Sequence, residues 1–216
     1  MRILHWFLDL LYPPRCTICQ NLLRKQETGF CKKCLKSCEE LEQPIRRGRF
    51  FKQCHALFPY SEDIAPSVRR YKYRGMSQYA DFYGQKIAMV LLRRSVKPDL
   101  ITWAPLSRKR RSERGYDQAE LLARAIAKNL GIPCARTLKK KHIPPQTQQA
   151  SAEARQANVR NAYSMTDTDV RGKRILIVDD VLTTGATLSE CSSVLLIAGA
   201  ASVECATIAA TMHDKS

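Results

Sequence analysis

The sequence lacks an apolar run long enough to cross a membrane. Its opening stretch, MRILHWFLDLLYPP, has apolar residues at helical spacing, but it is shorter than the roughly 20 residues that a spanning helix needs. No small-residue cleavage site follows it, as a secretory signal would require. We therefore expect a short packed helix that ends at Pro13 and Pro14. We also expect a cytoplasmic protein, with contact at the inner face of the membrane as the alternative.

The sequence also lacks the two common nucleotide-binding signatures, the lysine-bearing G-x-x-x-x-G-K-[ST] loop and the dinucleotide pattern G-x-G-x-x-G. Acidic residues are few beside the basic ones: 20 Asp and Glu face 36 Lys and Arg, which gives a formal net charge of +16. The excess is spread along the chain. This balance predicts a polyanionic partner, although a basic surface that serves only solubility explains the charge equally well.

Nine cysteines in a reducing compartment favour metal binding over disulfides. Four of them form two C-x-x-C pairs separated by a short polar loop, a spacing that places four thiolates around one Zn²⁺ ion. These four are Cys16, Cys19, Cys31 and Cys34. Cys38 and Cys54 are spare thiols that could replace a ligand. The 216 residues fit one main domain with an appendage, and we place an N-terminal helix and zinc module with its connector at 1–55 and the main domain at 56–216.

From Leu100 onward the pattern alternates strand, loop and helix, which predicts an α/β domain with a parallel sheet. The stretch ILIVDDVLTTGAT combines a buried strand, two adjacent aspartates and a small hydroxyl-rich loop. Thr187 and Glu190 suggest a capping box, so a helix should start just after the loop. Because ligands of open α/β sheets bind at the carboxyl ends of strands, the loop is expected to hold a phosphate at a helix N-terminus. The two acids beside it suit ribose hydroxyls.

This stretch resembles the phosphoribosyl-pyrophosphate (PRPP) motif of type I phosphoribosyltransferases. The resemblance implies a sheet of that family's type with flanking helices. It places Asp179 and Asp180 at the ribose hydroxyls. The residues at the 5-phosphate would be Thr183, Thr184, Gly185, Ala186 and Thr187.

The order of further motifs resembles the ComF (ComFC/GntX-like) family over essentially the whole chain. After the four-cysteine module come YKYRG, RGYDQAELLARAIA, PPQT, RQANVRNAY and the PRPP motif. The resemblance implies a role in natural transformation, with single-stranded DNA and the helicase ComFA or equivalent uptake machinery as partners; it leaves a homo-oligomer open. Two departures are visible. The further C-x-x-C pairs of many relatives are missing, so we expect one zinc, and Asp117 stands where relatives typically have Asn.

If PRPP is turned over, cations and Mg²⁺ must stabilise the leaving pyrophosphate. The cationic loop after the strand LITWAPL supplies Ser107, Arg108 and Lys109, and Lys72 adds charge from across the cleft. We predict that Arg108 and Lys109 act in catalysis together with the two aspartates. The long polar span that contains Gln146 and Arg155 is expected to form a lid.

A DNA-binding surface is predicted where basic and aromatic residues alternate. Basic groups would contact phosphates and tyrosine rings would stack on bases. The residues are Arg110, Arg111, Arg114, Tyr71 and Tyr73. Three functions follow from the sequence: a competence-type DNA-handling protein that binds PRPP, a metabolic phosphoribosyltransferase acting on a nucleobase or amine, and a non-catalytic nucleic-acid adaptor.

Overall fold

A computed structural model describes residues 13–45, 48–140 and 162–212. Its centre is a four-stranded sheet in which every neighbouring pair is parallel, with the strand order β1-β6-β5-β2. The four strands are β1 (Cys54–Pro59), β2 (Leu100–Trp103), β5 (Arg174–Leu182) and β6 (Ser202–Ala210). A short antiparallel hairpin of β3 (Leu138–Lys140) and β4 (Tyr163–Met165) lies apart from this sheet.

Helices cover both faces of the sheet, which is why its strands are almost continuously apolar. In the described residues they are α1 (Lys32–Ser37), α2 (Ile64–Tyr73), α3 (Tyr79–Arg93), α4 (Arg108–Arg114), α5 (Gln118–Leu130) and α6 (Ala186–Ile197). Alternate residues of β5 enter different cores. Leu176 and Val178 pack with buried residues of α3 and α5, whereas Ile175 and Ile177 pack with those of α6.

The expected α/β domain with a parallel sheet is thus present. The stretch LITWAPL forms β2, which ends at Trp103, and ASVECATIAA forms β6. The strand that begins the PRPP motif is longer than predicted, because β5 continues through both aspartates to Leu182.

The prediction of a loop at 107–116 is wrong for most of its length. Residues 108–114 form α4, and the Ser107 hydroxyl caps it by accepting a hydrogen bond from the Arg110 N–H (3.4 Å). The segment has no apolar stripe to announce a helix, but arginine, lysine and glutamate have high helix propensity and serine is a preferred N-cap.

The four-cysteine module packs on the main domain through an aromatic contact. The Phe30 ring meets Tyr83 of α3 edge to face, with ring centroids 5.8 Å apart. The predicted boundary at residue 55 falls inside β1, and the division into two domains stays a prediction. The predicted N-terminal helix at 3–11 and the central part of the predicted lid, 141–161, lie outside the described residues. Within the described part of the chain, no helix is both long and apolar enough to cross a membrane.

Candidate functional site

Two adjacent carboxylates lie near the carboxyl end of β5. Asp179 and Asp180 are both partly buried, and the Asp180 N–H donates to Asp179 Oδ1 at 2.8 Å. From α2, Lys72 Nζ lies 2.9 Å from Asp180 Oδ1. The predicted placement of Lys72 across the cleft from the acids therefore agrees with this geometry.

The two carboxylates are in different electrostatic situations. Burial, and after it the negative charge of Asp180, raises the pKa of Asp179 to about 8, although the Lys72 ammonium acts in the opposite direction. Asp179 is therefore mostly protonated at neutral pH in the ligand-free protein. The Lys72 ammonium contacts Asp180 rather than Asp179. A proton on Asp179 relieves the repulsion between the neighbouring acids.

The loop that follows β5 leads directly into a helix. Gly185 is the N-cap of α6 with φ of +78°, a left-handed conformation that glycine adopts without steric cost. The Thr184 hydroxyl accepts a hydrogen bond from the Ala186 N–H at 3.3 Å. The first N–H groups of a helix have no intrahelical partner and carry a favourable dipole, so this turn suits an anion.

The predicted capping box of Thr187 and Glu190 is wrong, because α6 starts two residues earlier than that motif requires. Thr187 lies inside the first turn and Gly185 takes the cap position. The Glu190 carboxylate instead accepts a hydrogen bond from the Ala162 N–H at 2.7 Å and so holds the start of the hairpin strand β4 close to α6. The Thr187 side chain is left on the cavity side.

The acids, the loop and the cations surround one cavity of about 380 Å³. This volume is within the usual range for small-molecule sites, about 300–1,000 Å³. Among its lining residues are five that were predicted to bind PRPP: Lys72, Asp179, Asp180, Thr183 and Thr187. Tyr73, Arg110 and Arg114, predicted to bind DNA, line it as well.

Sequence reasoning missed three residues of this cavity: Tyr60, Lys140 and Tyr163. The last two come from the β3–β4 hairpin, where Lys140 Nζ lies 3.2 Å from the Tyr163 hydroxyl. These positions fall at the edges of a polar span that was predicted as a lid. The alternation in NAYSM was the one available signal for a strand there.

The three residues predicted at the pyrophosphate lie at the start of α4. Ser107 caps the helix, Arg108 is exposed and Lys109 is the second helical residue. Ser107 and Arg108 are not lining residues of the cavity, to whose cationic wall Arg110 and Arg114 contribute on this side. A pyrophosphate contact by Ser107, Arg108 and Lys109 therefore stays a prediction.

A second hollow of about 290 Å³ adjoins the first and shares Tyr73, Arg110 and Arg114 with it. The Arg114 guanidinium lies over the exposed Tyr73 ring, 4.7 Å from its centroid, and donates to the Tyr73 hydroxyl at 3.2 Å. An arginine stacked on an exposed tyrosine offers a flat, cationic surface.

The predicted stacking of Tyr71 on DNA bases is wrong in this structure. Its side chain is fully buried, and its hydroxyl donates to the Gln118 carbonyl at 2.6 Å. Tyr71 and Tyr73 are two positions apart, so they point to different sides of α2. Only Tyr73 is available to a ligand.

The four predicted zinc ligands form one cluster. The Sγ atoms of Cys16, Cys19, Cys31 and Cys34 all lie within 4.8 Å of one another, and the Cys19 and Cys31 sulfurs are 3.7 Å apart. Tetrahedral zinc with bonds of about 2.3 Å requires sulfurs roughly 3.8 Å apart, so the residues fit the ion.

Backbone N–H groups point at two of the sulfurs in this cluster. The Cys31 N–H points at Cys16 Sγ (3.4 Å), and the Cys34 N–H points at Cys31 Sγ (3.5 Å). Burial by itself would raise the pKa of Cys16, but backbone hydrogen bonds, the first from Cys31, lower it to about 7. Cys54 lies in β1 near Thr207, outside the cluster, and Cys38 is buried but is not part of it either.

Two family models match the chain. A phosphoribosyl transferase domain matches residues 117–216, and a double zinc ribbon domain matches residues 7–48. The first match includes the acid pair and its loop, and the second includes the four-thiol cluster. Together with the fit of the sulfurs, the ribbon match supports a structural zinc.

Relatives are similar over most of their length. The chain is 28% identical to the DNA utilization protein YhgH of Salmonella typhimurium, over 88% of this chain and 87% of that protein. It is 28% identical to competence protein F of Haemophilus influenzae (84% and 90%) and 26% identical to competence protein ComFC of Bacillus subtilis (89% and 82%). The resemblance to the ComF family is confirmed. This chain thus carries a double zinc ribbon match and a phosphoribosyl transferase match, one after the other.

Solved structures give weaker likenesses to this chain. A glutamine PRPP amidotransferase from B. subtilis superposes with a TM-score of 0.47 at 23% identity, over 65% of this chain; the chain spans only 30% of that protein's length. A hypoxanthine phosphoribosyltransferase from Staphylococcus aureus superposes with a TM-score of 0.41 at 12% identity, over 65% of this chain and 70% of that one.

Asp117, which the sequence analysis noted as a departure from the family pattern, has a local role in this structure. Its carboxylate caps α5 by accepting from the Glu120 N–H (3.3 Å) and also accepts from the Leu106 N–H (3.1 Å). It thereby ties the end of the β2 segment to the start of α5. Aspartate and asparagine are both good N-caps, so the departure preserves this function.

Proposed function

We propose that this ComF-type protein acts in DNA uptake, binding single-stranded DNA on a cationic surface and PRPP in the cavity beside it. The competence role rests on the relatives named competence protein F and ComFC. PRPP binding rests on the phosphoribosyl transferase match and on the acid pair with its loop. The DNA surface rests on charge and exposure around α4.

One observation carries the PRPP proposal: a lysine and an anion-binding turn face each other across two partly buried acids. A 5-phosphate would lie at Thr183–Thr187, where the backbone can approach it beside Gly185. The ribose hydroxyls would donate to Asp179 and Asp180. The pyrophosphate, with Mg²⁺ bound to it, would lie toward Lys72.

The DNA proposal rests on the surface formed by Tyr73, Arg110, Arg111 and Arg114. Three of these residues line the second hollow, and Arg111 is half-exposed with its guanidinium 3.5 Å from Glu120. The Tyr73 ring is 66% exposed, enough for a base to stack on it. Guanidinium groups beside the ring would contact the strand's phosphates.

A metabolic phosphoribosyltransferase is the second candidate. The pKa of about 8 for Asp179 is close to the working pH, as a general acid or base requires. Mg²⁺ would neutralise the leaving pyrophosphate, with Arg108 and Lys109 as further cations. Asp179 and Asp180 would then be catalytic residues as well as ribose ligands.

The cellular setting follows from the competence role. We place the protein in the cytoplasm, where it would meet single-stranded DNA delivered by a helicase of the ComFA type or an equivalent machine. Work at the inner face of the membrane would bring it close to the entering strand.

The test is a calorimetric titration with PRPP and Mg²⁺, repeated in the presence of a single-stranded oligonucleotide. The proposal predicts that PRPP binds and that DNA binds at the same time, because the acid pair and the phosphate-binding turn belong to the cavity alone, although Tyr73, Arg110 and Arg114 line both hollows. Displacement of PRPP by DNA would instead favour the adaptor, in which the loop grips a DNA phosphate. Release of pyrophosphate on addition of a nucleobase or amine would favour the metabolic enzyme. Absence of PRPP binding would overturn the proposal.

A further inference from the structure

The helix α2 connects the four-thiol module to the acid pair. At the module end, the Ser67 hydroxyl donates to the Thr17 carbonyl at 2.5 Å. Arg70 Nη2 donates to the carbonyls of Thr17 (3.1 Å) and Ile18 (2.5 Å). Thr17 and Ile18 are the two residues inside the first C-x-x-C pair, so Arg70 grips the backbone that presents two of the four thiols.

On the opposite side of its last turn, α2 presents Lys72 to the acid pair. Lys72 is two residues beyond Arg70, about 200° around the helix, so the two side chains leave α2 on nearly opposite sides. The last turn is also held by Gln118, which accepts from the Tyr71 hydroxyl and donates through Nε2 to the Lys72 carbonyl at 3.2 Å. The position of Lys72 is therefore set by contacts on both sides of the helix.

We propose that the metal-bound module positions Lys72 against Asp180 through Arg70, so that the affinity of the cavity for PRPP depends on metal loading. Arg70 is a positioning residue in this scheme, since it touches neither the acids nor their cavity. The inference rests on the proposed binding of PRPP at the acid pair.

The chemistry around Arg70 links it to a loaded module. Arg70 lines a hollow of about 350 Å³ together with Cys19 and Cys34. Four thiolates around one Zn²⁺ carry a net charge of −2, which favours a guanidinium at this position. In the described part of the chain, Arg70 Nε is buried and has no hydrogen-bond partner, so only its Nη2 contacts and the nearby charge offset its burial. Loss of the metal would change this charge and loosen the backbone whose carbonyls Arg70 holds.

The first test compares Arg70→Met with Arg69→Met. Both remove one positive charge from α2, but Arg69 is exposed and serves as the matched control. We expect about tenfold weaker PRPP binding for Arg70→Met, with one zinc per chain retained, and unchanged binding for Arg69→Met, because a displaced charged contact weakens binding by about this factor. Arg70→Lys keeps the charge without the planar guanidinium, so its PRPP affinity is expected to lie between those of the parent and Arg70→Met. Equal affinities of Arg70→Met and Arg69→Met would overturn the inference.

A double-mutant cycle with Lys72→Met separates positioning from general support. If Arg70 acts through Lys72, the Arg70→Met change should have almost no further effect on PRPP binding once Lys72 is already Met. Additive losses would mean that Arg70 supports the fold without positioning Lys72. Should Arg70→Met lose its zinc, the same cycle is run with Arg70→Lys.

A ligand-free readout keeps this inference separate from the proposed function. Because the Lys72 charge lowers the pKa of Asp179, its displacement in Arg70→Met should raise the Asp179 pKa measured by carboxyl carbon NMR. An unchanged Asp179 pKa would overturn the positioning role even where PRPP binds normally. If the parent protein fails to bind PRPP, the proposed function fails. A raised Asp179 pKa in Arg70→Met would still support the positioning of Lys72 by Arg70.

Discussion

The four-thiol module and the acid pair both gather groups that repel when charged, but they relieve the repulsion differently. The four sulfurs lie within 4.8 Å of one another, and a divalent ion is needed to hold them as thiolates. The acid pair has a resident counter-ion in Lys72, 2.9 Å from Asp180, and Asp179 keeps its proton near neutral pH. The cavity is therefore complete before any ligand arrives, whereas the module is complete only with its metal.

This difference separates folding from binding in the two regions. In a small metal-bound module the metal's binding free energy is also folding free energy. In the cavity, a ligand replaces contacts that the protein already makes, so changes there should alter affinity and leave the fold intact. The four predictions below test this contrast.

The largest effect is expected in the module. Cys16→Ser should release the zinc and unfold the N-terminal segment, because apparent zinc-binding free energies in such modules are about 10–16 kcal/mol at pH 7. The zinc content measured by metal analysis should fall from about one ion per chain to none, and the melting temperature should drop clearly. Cys134→Ser is the matched control, since Cys134 is half-buried and outside the cluster. A well-folded Cys16→Ser protein with no metal would contradict a structural role for the ion.

The second effect is on ligand affinity. Asp179→Asn together with Asp180→Asn should weaken PRPP binding by about two orders of magnitude, because hydrogen bonds to charged acceptors contribute about 1.5–3 kcal/mol each. Circular dichroism and zinc content should be unchanged. Asp99→Asn is the control, because Asp99 lies at the opposite end of the sheet from the cavity. There its Oδ1 is 2.7 Å from Arg174 Nη2. Equal PRPP affinity of the double variant and the parent would show that the motif no longer binds sugar phosphates.

The two regions also differ in how far the sequence could specify them. The four thiols and the acid pair with its loop are short local patterns, so both were found from spacing alone. The opposing wall of the cavity was only partly found, because its residues come from α2, α4 and the hairpin, far apart in the chain. The phosphoribosyl transferase match begins at residue 117 and thus also leaves Lys72, Arg110 and Arg114 outside.

The errors have local physical causes. The segment after β2 was predicted as a loop because its charges hide a helix that no apolar stripe marks. Tyr71 and Tyr73 were treated alike because both alternate with basic residues, yet helical geometry turns one into the core and leaves the other exposed. The sequence pattern indicated a basic and aromatic segment but could not show which ring faces water.

The third effect is a dependence of stability on pH. The pKa of Asp179 is about 8 in the folded protein, whereas the ordinary value of an aspartate, which applies to the unfolded chain, is 3.8. Between pH 3.8 and about pH 8 the folded state therefore holds a proton that the unfolded state has released. The free energy of unfolding should therefore fall as pH rises from about 4 to about 8, by a few kcal/mol at most, and flatten above that.

Thermal melts between pH 5 and pH 9 measure this dependence. Asp179→Asn should melt higher than the parent at pH 8 and should lose most of the slope, because an amide does not titrate. Asp99→Asn again serves as control, since the Arg174 guanidinium holds the pKa of Asp99 at about 2, below the tested range. Parallel melting curves for the parent and Asp179→Asn would mean that Asp179 is ionised in the folded protein.

The smallest effect, and the one that tests the DNA surface, is expected at Tyr73 and the arginines of α4. Tyr73→Ala should weaken binding of a single-stranded oligonucleotide by about 1–3 kcal/mol without changing its salt dependence, whereas Tyr73→Phe, which keeps the ring, should bind like the parent. Replacing Arg110, Arg111 and Arg114 with Ala should lower the slope of log affinity against log salt by about 0.7 for each lost phosphate contact. Fluorescence anisotropy at several salt concentrations separates the contribution of base stacking from that of the phosphate contacts. Equal slopes for the parent and the triple variant would show that these arginines form only a solvated face, and the cavity would then be the one binding site left to the proposal.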